Sequence, residues 1–237
     1  MFVYKNGKLN NISISKNRRN DNHSVILFTN ARDENNMAEW VAHHLLLGFD
    51  KIVVFDHLSV VLISNSLNNN FDGKLDIIRV NDNTTSIKLS LMERAVTIAQ
   101  QKNYSWMLYL DADEYINLNC AENNIKLFLN GFKEADAIGI NWLMFGTSGH
   151  KTQPKGLLTE HFIRSNIRLD KHVKSFVRPT TVIRVDSPHY YTIINKNRYY
   201  SGNGTKMFPS PFNIQPVPFV KSRIYIAHYY TQSEEEH

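Results

Sequence analysis

The sequence predicts an α/β fold: a mostly parallel central sheet with helices on both faces, followed by a loop-rich second half. Three observations carry this. Short apolar runs of strand length recur through the first half, at VILFT (25–29), KIVVFD (51–56), LDIIRV (75–80) and WMLYL (106–110). Stretches of helical periodicity lie between them, and such alternation is joined by right-handed crossovers into a parallel sheet covered on both sides. From Ala137 onward clean helices become scarce, and Pro154, Pro179, Pro188, Pro209, Pro211, Pro216 and Pro218 interrupt regular structure.

Taken in order, residues 1–23 are polar and aperiodic and read as an N-terminal arm, with one domain over 24–237. After the first strand, NMAEWVAHHLLLG sets Met37, Val41, His44, Leu45 and Gly48 at helical spacing. His44 on that apolar face reads as a packed core histidine. The second strand ends at Asp56, a short helix fits Val60 to Leu67, and NNNFDGK marks a turn before the third strand. In TTSIKLSLMERAVTIAQQK, Ile87, Leu91, Ala95 and Ile98 share one face, with Thr85 or Ser86 as the N-cap. WMLYL does not alternate, so it is expected to be buried on both faces. AIGINWLMF (137–145) and YIAHYY (225–230) are candidate strands of the second half.

Composition narrows the function. The chain has 237 residues, 42% hydrophobic and 21% charged, and no apolar run near the roughly 20 residues that span a bilayer. The opening MFVYKNGKLN is too short an apolar run for a signal peptide, so a cytoplasmic location is expected. Cys120 is the only cysteine, which excludes an intrachain disulfide and a multi-cysteine zinc site. The net charge of +5 suits an anionic partner, but the basic residues are scattered rather than striped. A phosphorylated small molecule is expected, not nucleic acid.

The chemistry concentrates at WMLYLDADEY, where Asp111, Asp113 and Glu114 crowd the end of a buried strand. Ligands of parallel sheets bind outside the carboxyl ends of the strands, and TNARDE, FDHLS and LDADE all fall at such ends. Oxygen ligands at this spacing suit Mn2+ or Mg2+ together with phosphate oxygens. The plain alternative is a solvated turn capping a helix. Haloacid-dehalogenase-like phosphatases also use such a pair, but theirs ends the first strand and precedes a threonine-like residue. Here it ends the fourth, before Glu114 and Tyr115.

Five blocks, TNARDENNMAEWVAHHLLLGFDKIVVFD, WMLYLDADEY, NWLMFGTSGH, HVKSFVRPTTV and IAHYYTQSEEE, resemble in order and spacing the glycosyltransferase family 2-like and family 92 proteins of GT-A fold, which is Rossmann-like. The resemblance runs from about Ser24 to the end and implies a nucleotide-binding half over about 24–120 and an acceptor half over about 121–237. It implies that Thr29, Ala31, Arg32 and Glu34 line the nucleotide pocket and that Asp56 accepts a hydrogen bond from a uracil-like base. Asp111 and Asp113 match the metal motif, with Asp113 the direct ligand, Asp111 on the metal, the ribose or a metal-bound water, and Ala112 between them expected to line the nucleotide site. His228 matches the late histidine of the metal or diphosphate site, and Ser233 the serine of the tail.

On the acceptor side the resemblance implies Trp142, Gly146 and His150, with Glu160 as the base and His150 or Asp170 as substitutes. Core packing fits Trp142 as well as sugar stacking does. Tyr190, Tyr191, Tyr199 and Tyr200 form either an acceptor platform or a small core. Two departures stand out. Asp56 is followed by His57-Leu58-Ser59-Val60-Val61 without the later acid of the family, and Gln232 replaces a common lysine, leaving Lys174, Arg178 or Lys206 to meet the diphosphate. The expected function is metal-dependent transfer of a sugar from a nucleotide-sugar donor, UDP-linked, to a hydroxyl of a glycan or glycoprotein. A nucleotide- or glycan-binding module and a metal-dependent phosphatase or nucleotidyltransferase are the alternatives.

Overall fold

The computed structural model describes residues 2–5, 8–11, 23–67, 71, 73–82, 87–119, 123–213 and 218–235. Within the expected N-terminal arm, β1 (Phe2–Lys5) and β2 (Lys8–Asn11) form an antiparallel hairpin, and the rest of that arm up to Asn22 lies outside the described residues. Cys120 and the proposed caps Thr85 and Ser86 also lie outside them.

The four expected strands are β3 (Val25–Ala31), β4 (Lys51–His57), β5 (Leu75–Val80) and β6 (Trp106–Tyr109), paired in parallel in the order β5-β4-β3-β6. Their connections carry α1 (Met37–Leu46), α2 (Ile63–Ser66) and α3 (Ile87–Gln101). In α3 the buried stripe is Leu91, Met92, Ala95, Val96 and Ala99, while Ile87 and Ile98 are only half-buried. The buried face is therefore turned from the expected one toward Met92, Val96 and Ala99.

The second half extends the sheet with β7 (Glu114–Leu118), β8 (Ala137–Met144), β9 (Val173–Val177), β12 (Tyr199–Ser201) and β13 (Ile224–His228), while β10 (Val182–Arg184) and β11 (Thr192–Ile193) form a separate pair. The full order is β5-β4-β3-β6-β9-β8-β13-β7, with β12 on β8. Pairing becomes antiparallel at β6-β9, β9-β8 and β13-β7. The second half also carries the short helices α4 (Ile125–Asn130) and α5 (Leu158–His161).

Each face of the sheet has its own core. α1 and α4 pack Trp40, Val41, Ile125, Phe128 and Leu129 against one face. α3 packs the other, together with Val185, Tyr191, Ile193 and Tyr199 from the second half. Tyr191 and Tyr199 are therefore core residues, while Tyr190 and Tyr200 remain partly buried. Among the described residues no helix is long and apolar enough to cross a membrane.

Candidate functional site

The carboxyl ends of β3, β4 and β6 meet as the topology requires. Tyr109 donates to the Asn30 side chain (3.1 Å), joining β6 to β3. Asp33 N–H donates to Ser59 Oγ (3.0 Å), and Asp33 Oδ1 accepts from Val60 N–H (2.7 Å). Asp33 adopts a φ of 53°, a left-handed conformation that aspartate tolerates better than most residues. The turn encloses a cleft of about 410 Å³ lined by Asp33, Glu34, Asn35, Val61 and Ile63.

Glu34 thus lines the cleft, and Arg32 is exposed at its approach, where it faces Asp33. Thr29 and Ala31 are buried within β3, because that strand is covered on both faces until it leaves the sheet. Asp56 is also buried, and its carboxylate accepts from Arg79 (2.9 Å), Ile63 N–H (3.2 Å) and Ser59 N–H (3.4 Å). Burial alone would raise its pKa, but the bonds from Ser59, Ile63 and Arg79 hold it below the usual carboxylate value. Its oxygens organise the loop after β4 rather than facing open space.

The acidic turn folds back on itself. Asp111 N–H donates to Glu114 Oε2 (2.8 Å), and Glu114 N–H donates to the Asp111 carbonyl (3.1 Å). Asp111 is neutralised from two sides, by Lys174 of β9 at 2.9 Å and by a close ion pair with Lys88 of α3. Burial opposes its ionisation, yet the two ammonium groups hold its pKa far below the ordinary carboxylate range. Lys174 is 1% exposed and also lies 3.5 Å from Glu114 Oε2. Burial favours its neutral form, but Glu114 and Asp111 raise it and keep it charged. Glu114 shows the opposite balance. Burial, reinforced by Asp111 and Asp113, pushes it up to about 7 despite Lys174. Ala112 is buried at the centre of the turn.

β13 brings the last component. His228 pairs in register with Glu114 across the antiparallel β13-β7 ladder, and Tyr229 N–H donates to the Asp113 carbonyl (3.0 Å). His228 Nε2 consequently stands 3.2 Å from Asp113 Oδ2. Burial would lower the His228 pKa, but the Asp113 bond and the nearby Glu114 and Asp111 carboxylates raise it. Its Nδ1 and Glu114 Oε1 are buried without a hydrogen-bond partner among the described residues.

Among the described residues no three acids or histidines are grouped so as to hold a metal. The pair Asp113 and His228 nevertheless fits one brought in with a diphosphate. Neighbouring ligands on an ion with bonds of about 2.1 Å lie about 3 Å apart, and Mg2+ usually takes one or two protein groups with phosphate and water completing its shell. The chemistry matches too, since carboxylate oxygen and imidazole nitrogen both serve divalent manganese-type ions. Asp111, expected as a third ligand, has its oxygens on Lys88 and Lys174.

On the acceptor side, Trp142 of β8 is surrounded by imidazoles. His172 stacks on it at 5.0 Å and 22°, while His189 and His228 lie tilted at 5.4 and 4.4 Å. The Trp142 Nε1 is buried without a hydrogen-bond partner among the described residues. His150 packs edge-on against His161 and Phe162, and its carbonyl accepts from Glu234 N–H (3.1 Å). Ser233 is wholly buried in that same C-terminal turn. Gly146 is exposed, with its N–H on the Arg164 carbonyl. Glu160 is exposed on α5, a segment capped by Glu39 through Leu158 N–H, Thr159 N–H and Thr159 Oγ1.

Sequence reasoning did not single out Lys88, His172 or His189. Lys174 entered only as a substitute for the missing tail lysine, and its position between Asp111 and the buried Glu114 carried no local signal. The HVKSF block held the clue, since a lysine inside a strand buried along its whole length must find a carboxylate.

No curated protein matches this chain. Solved structures resemble it distantly. TarS 1-349 of S. aureus is 15% identical with a TM-score of 0.44, covering 67% of this chain, which spans 48% of that one. HddC from Yersinia pseudotuberculosis complexed with GMP-PN is 12% identical with a TM-score of 0.44, covering 87% and 93% of the two chains. The 4-diphosphocytidyl-2C-methyl-D-erythritolsynthase from Anaerococcus prevotii DSM 20548 is 11% identical with a TM-score of 0.41, covering 68% and 72%. The family model of glycosyltransferase family 92 matches residues 26–232, nearly the whole chain, so this protein belongs to that family and is a glycosyltransferase.

Proposed function

We propose that this glycosyltransferase moves a sugar from a nucleotide-linked donor, UDP-sugars first among them, to a hydroxyl acceptor with the help of Mn2+ or Mg2+. The observation that carries the reading is the Asp113–His228 pair, 3.2 Å apart beside a turn whose other acids are already balanced by lysines. A cation held there supplies charge neutralisation for the departing nucleoside diphosphate. The protein's own part is positional. Lys88 and Lys174 keep Asp111 ionised and fixed, Glu114 closes the turn, and the cleft at Asp33–Asn35 and Val61–Ile63 receives the nucleoside. In the absence of a cation His228 Nε2 faces Asp113, so the two side chains that would hold the ion are already positioned together.

The test is a panel of sugar nucleotides with and without manganese, read by melting temperature and by nucleoside diphosphate release. UDP-sugars with manganese are expected to raise the melting temperature, by mass action on the native state, and to release UDP. Asp113→Ala is expected to abolish the manganese-dependent part of both signals. A protein that binds nucleotide without release fits instead a binding module, the reading favoured by the pairing of Asp111 with two lysines and by Gln232 in the tail. Phosphate release from simple esters with no effect of UDP-sugars overturns the transfer reading.

A further inference from the structure

Asp170 and His172 lie in the turn that leads into β9. Asp170 Oδ1 accepts from His172 Nδ1 at 2.6 Å and from the His172 backbone N–H at 2.8 Å. Burial would raise the Asp170 pKa, but these bonds hold it below the usual carboxylate value, so it remains an ionised acceptor. An ionised carboxylate can only accept, which places a hydrogen on Nδ1 and leaves Nε2 as the nitrogen for an acceptor hydroxyl. This is the base-plus-orienter arrangement that general-base catalysis needs.

The turn is held from several directions. Asn141 Nδ2 donates to the Asp170 and Lys171 carbonyls (2.9 and 3.3 Å), and Asn213 Nδ2 in turn donates to Asn141 Oδ1 (2.9 Å). Asp170 N–H bonds the Trp142 carbonyl, and Trp142 N–H bonds the His172 carbonyl, at 2.8 and 3.1 Å. The imidazole therefore has little freedom, sandwiched between Trp142 and the edge of Phe212. Its side chain keeps 34% exposure, so it is rigid yet open. The same indole that carries it lies 4.4 Å from His228, which bonds Asp113. His172 of the dyad and His228 of the proposed cation pair thus pack against the same tryptophan.

We propose that His172 is the catalytic base for the acceptor hydroxyl and that Asp170 is its positioning residue. The proposal rests on the transfer reading above. In the step, the acceptor O–H proton passes to His172 Nε2 as the acceptor oxygen bonds the anomeric carbon. The bond from that carbon to the diphosphate oxygen breaks, and its electron pair leaves with the nucleoside diphosphate. Glu160, exposed on α5, is then not required.

The experiment measures UDP release from UDP-sugars, with water and simple glycosides as acceptors, for the wild type, His172→Gln, Asp170→Asn and the double variant. His172→Gln is expected to lower kcat by about 10²-fold or more, within the usual range for a general base, with the donor KM and the nucleotide-induced melting shift unchanged. Asp170→Asn is expected to lower kcat in the same direction, and the double variant to be no slower than His172→Gln, as for residues acting as one unit. Added imidazole is expected to restore part of the activity of His172→Ala. A His172→Gln kcat within about threefold of wild type, or single losses that multiply in the double variant, overturns the base. If His172→Gln does not fold, Asp170→Asn with unchanged kcat overturns it equally. A wild type that releases no UDP overturns the transfer reading and the base with it. A wild type that transfers alongside an active His172→Gln overturns the base alone.

Discussion

Lys174 lies buried with its ammonium 2.9 Å from Asp111 Oδ2 and 3.5 Å from Glu114 Oε2. Two carboxylates brought this close inside a protein repel strongly unless a cation stands between them, because the interior screens charge less than water does. Methionine has about the same length but no charge, so Lys174→Met would remove the cation between them and leave Asp111 with Lys88 alone. Breaking a buried ion pair from one side costs about 3–5 kcal/mol. Lys174→Met is therefore expected to lower the unfolding free energy by about that amount, measured by urea titration. Lys88 at the same aspartate is about a third exposed, and solvent screening makes its pair worth much less. The contrast separates two lysines that look alike in sequence: one sits inside a strand, the other on the exposed flank of α3.

At the level of elements, the site depends on how β7 is tied to α1. Trp40 Nε1 donates to the Glu114 carbonyl (2.8 Å), His43 Nε2 meets the Ile116 carbonyl (2.7 Å), and His44 Nε2 accepts from Ile116 N–H (3.2 Å). His44 meets the Trp40 carbonyl through Nδ1 (2.8 Å), and burial, then the neighbouring His43, keeps its pKa well below the usual histidine value. It is a neutral core residue with both nitrogens satisfied, as its place on the apolar face of the helix led one to expect. Trp40→Phe would keep the aromatic packing and orphan the Glu114 carbonyl, at a cost of about 1–3 kcal/mol. Its expected signature is a lower melting temperature together with weaker manganese-dependent UDP binding, since the acidic turn loses its backstop. α1 was legible from its period, but β7 was not. EYINL is too short to announce itself, and it becomes a strand because β13, more than a hundred residues later, pairs with it. The same holds for β9, whose neighbours β6 and β8 are both remote in the chain.

For the molecule as a whole, the linkage between the strand-end loops contributes to the response to acid. Asp56 joins β4 to Arg79 of β5 and to the start of α2, and its pKa is lower folded than unfolded. A group of that sign contributes stability above its unfolded value, near 3.8, and the contribution is lost as pH falls through the lower folded value. Asp56→Asn is accordingly expected to lower stability at pH 7 by about 1.5–3 kcal/mol, the range for hydrogen bonds to a charged group. Its deficit relative to wild type should shrink below about pH 4, read as melting temperature against pH.

The sequence by itself determined the parallel first half, the helices between its strands and the position of the acids at the carboxyl edge of the sheet. Those features follow from local periodicity and from which stretches can be buried, and both are written in neighbouring residues. Only the tertiary structure decided what the acids meet: Lys174 reaches Asp111 across 63 positions, and His228 reaches Asp113 through the β13-β7 ladder. Charge pairing in a folded chain depends on distance in space, and strand pairing between distant segments sets that distance without leaving a trace in their spacing.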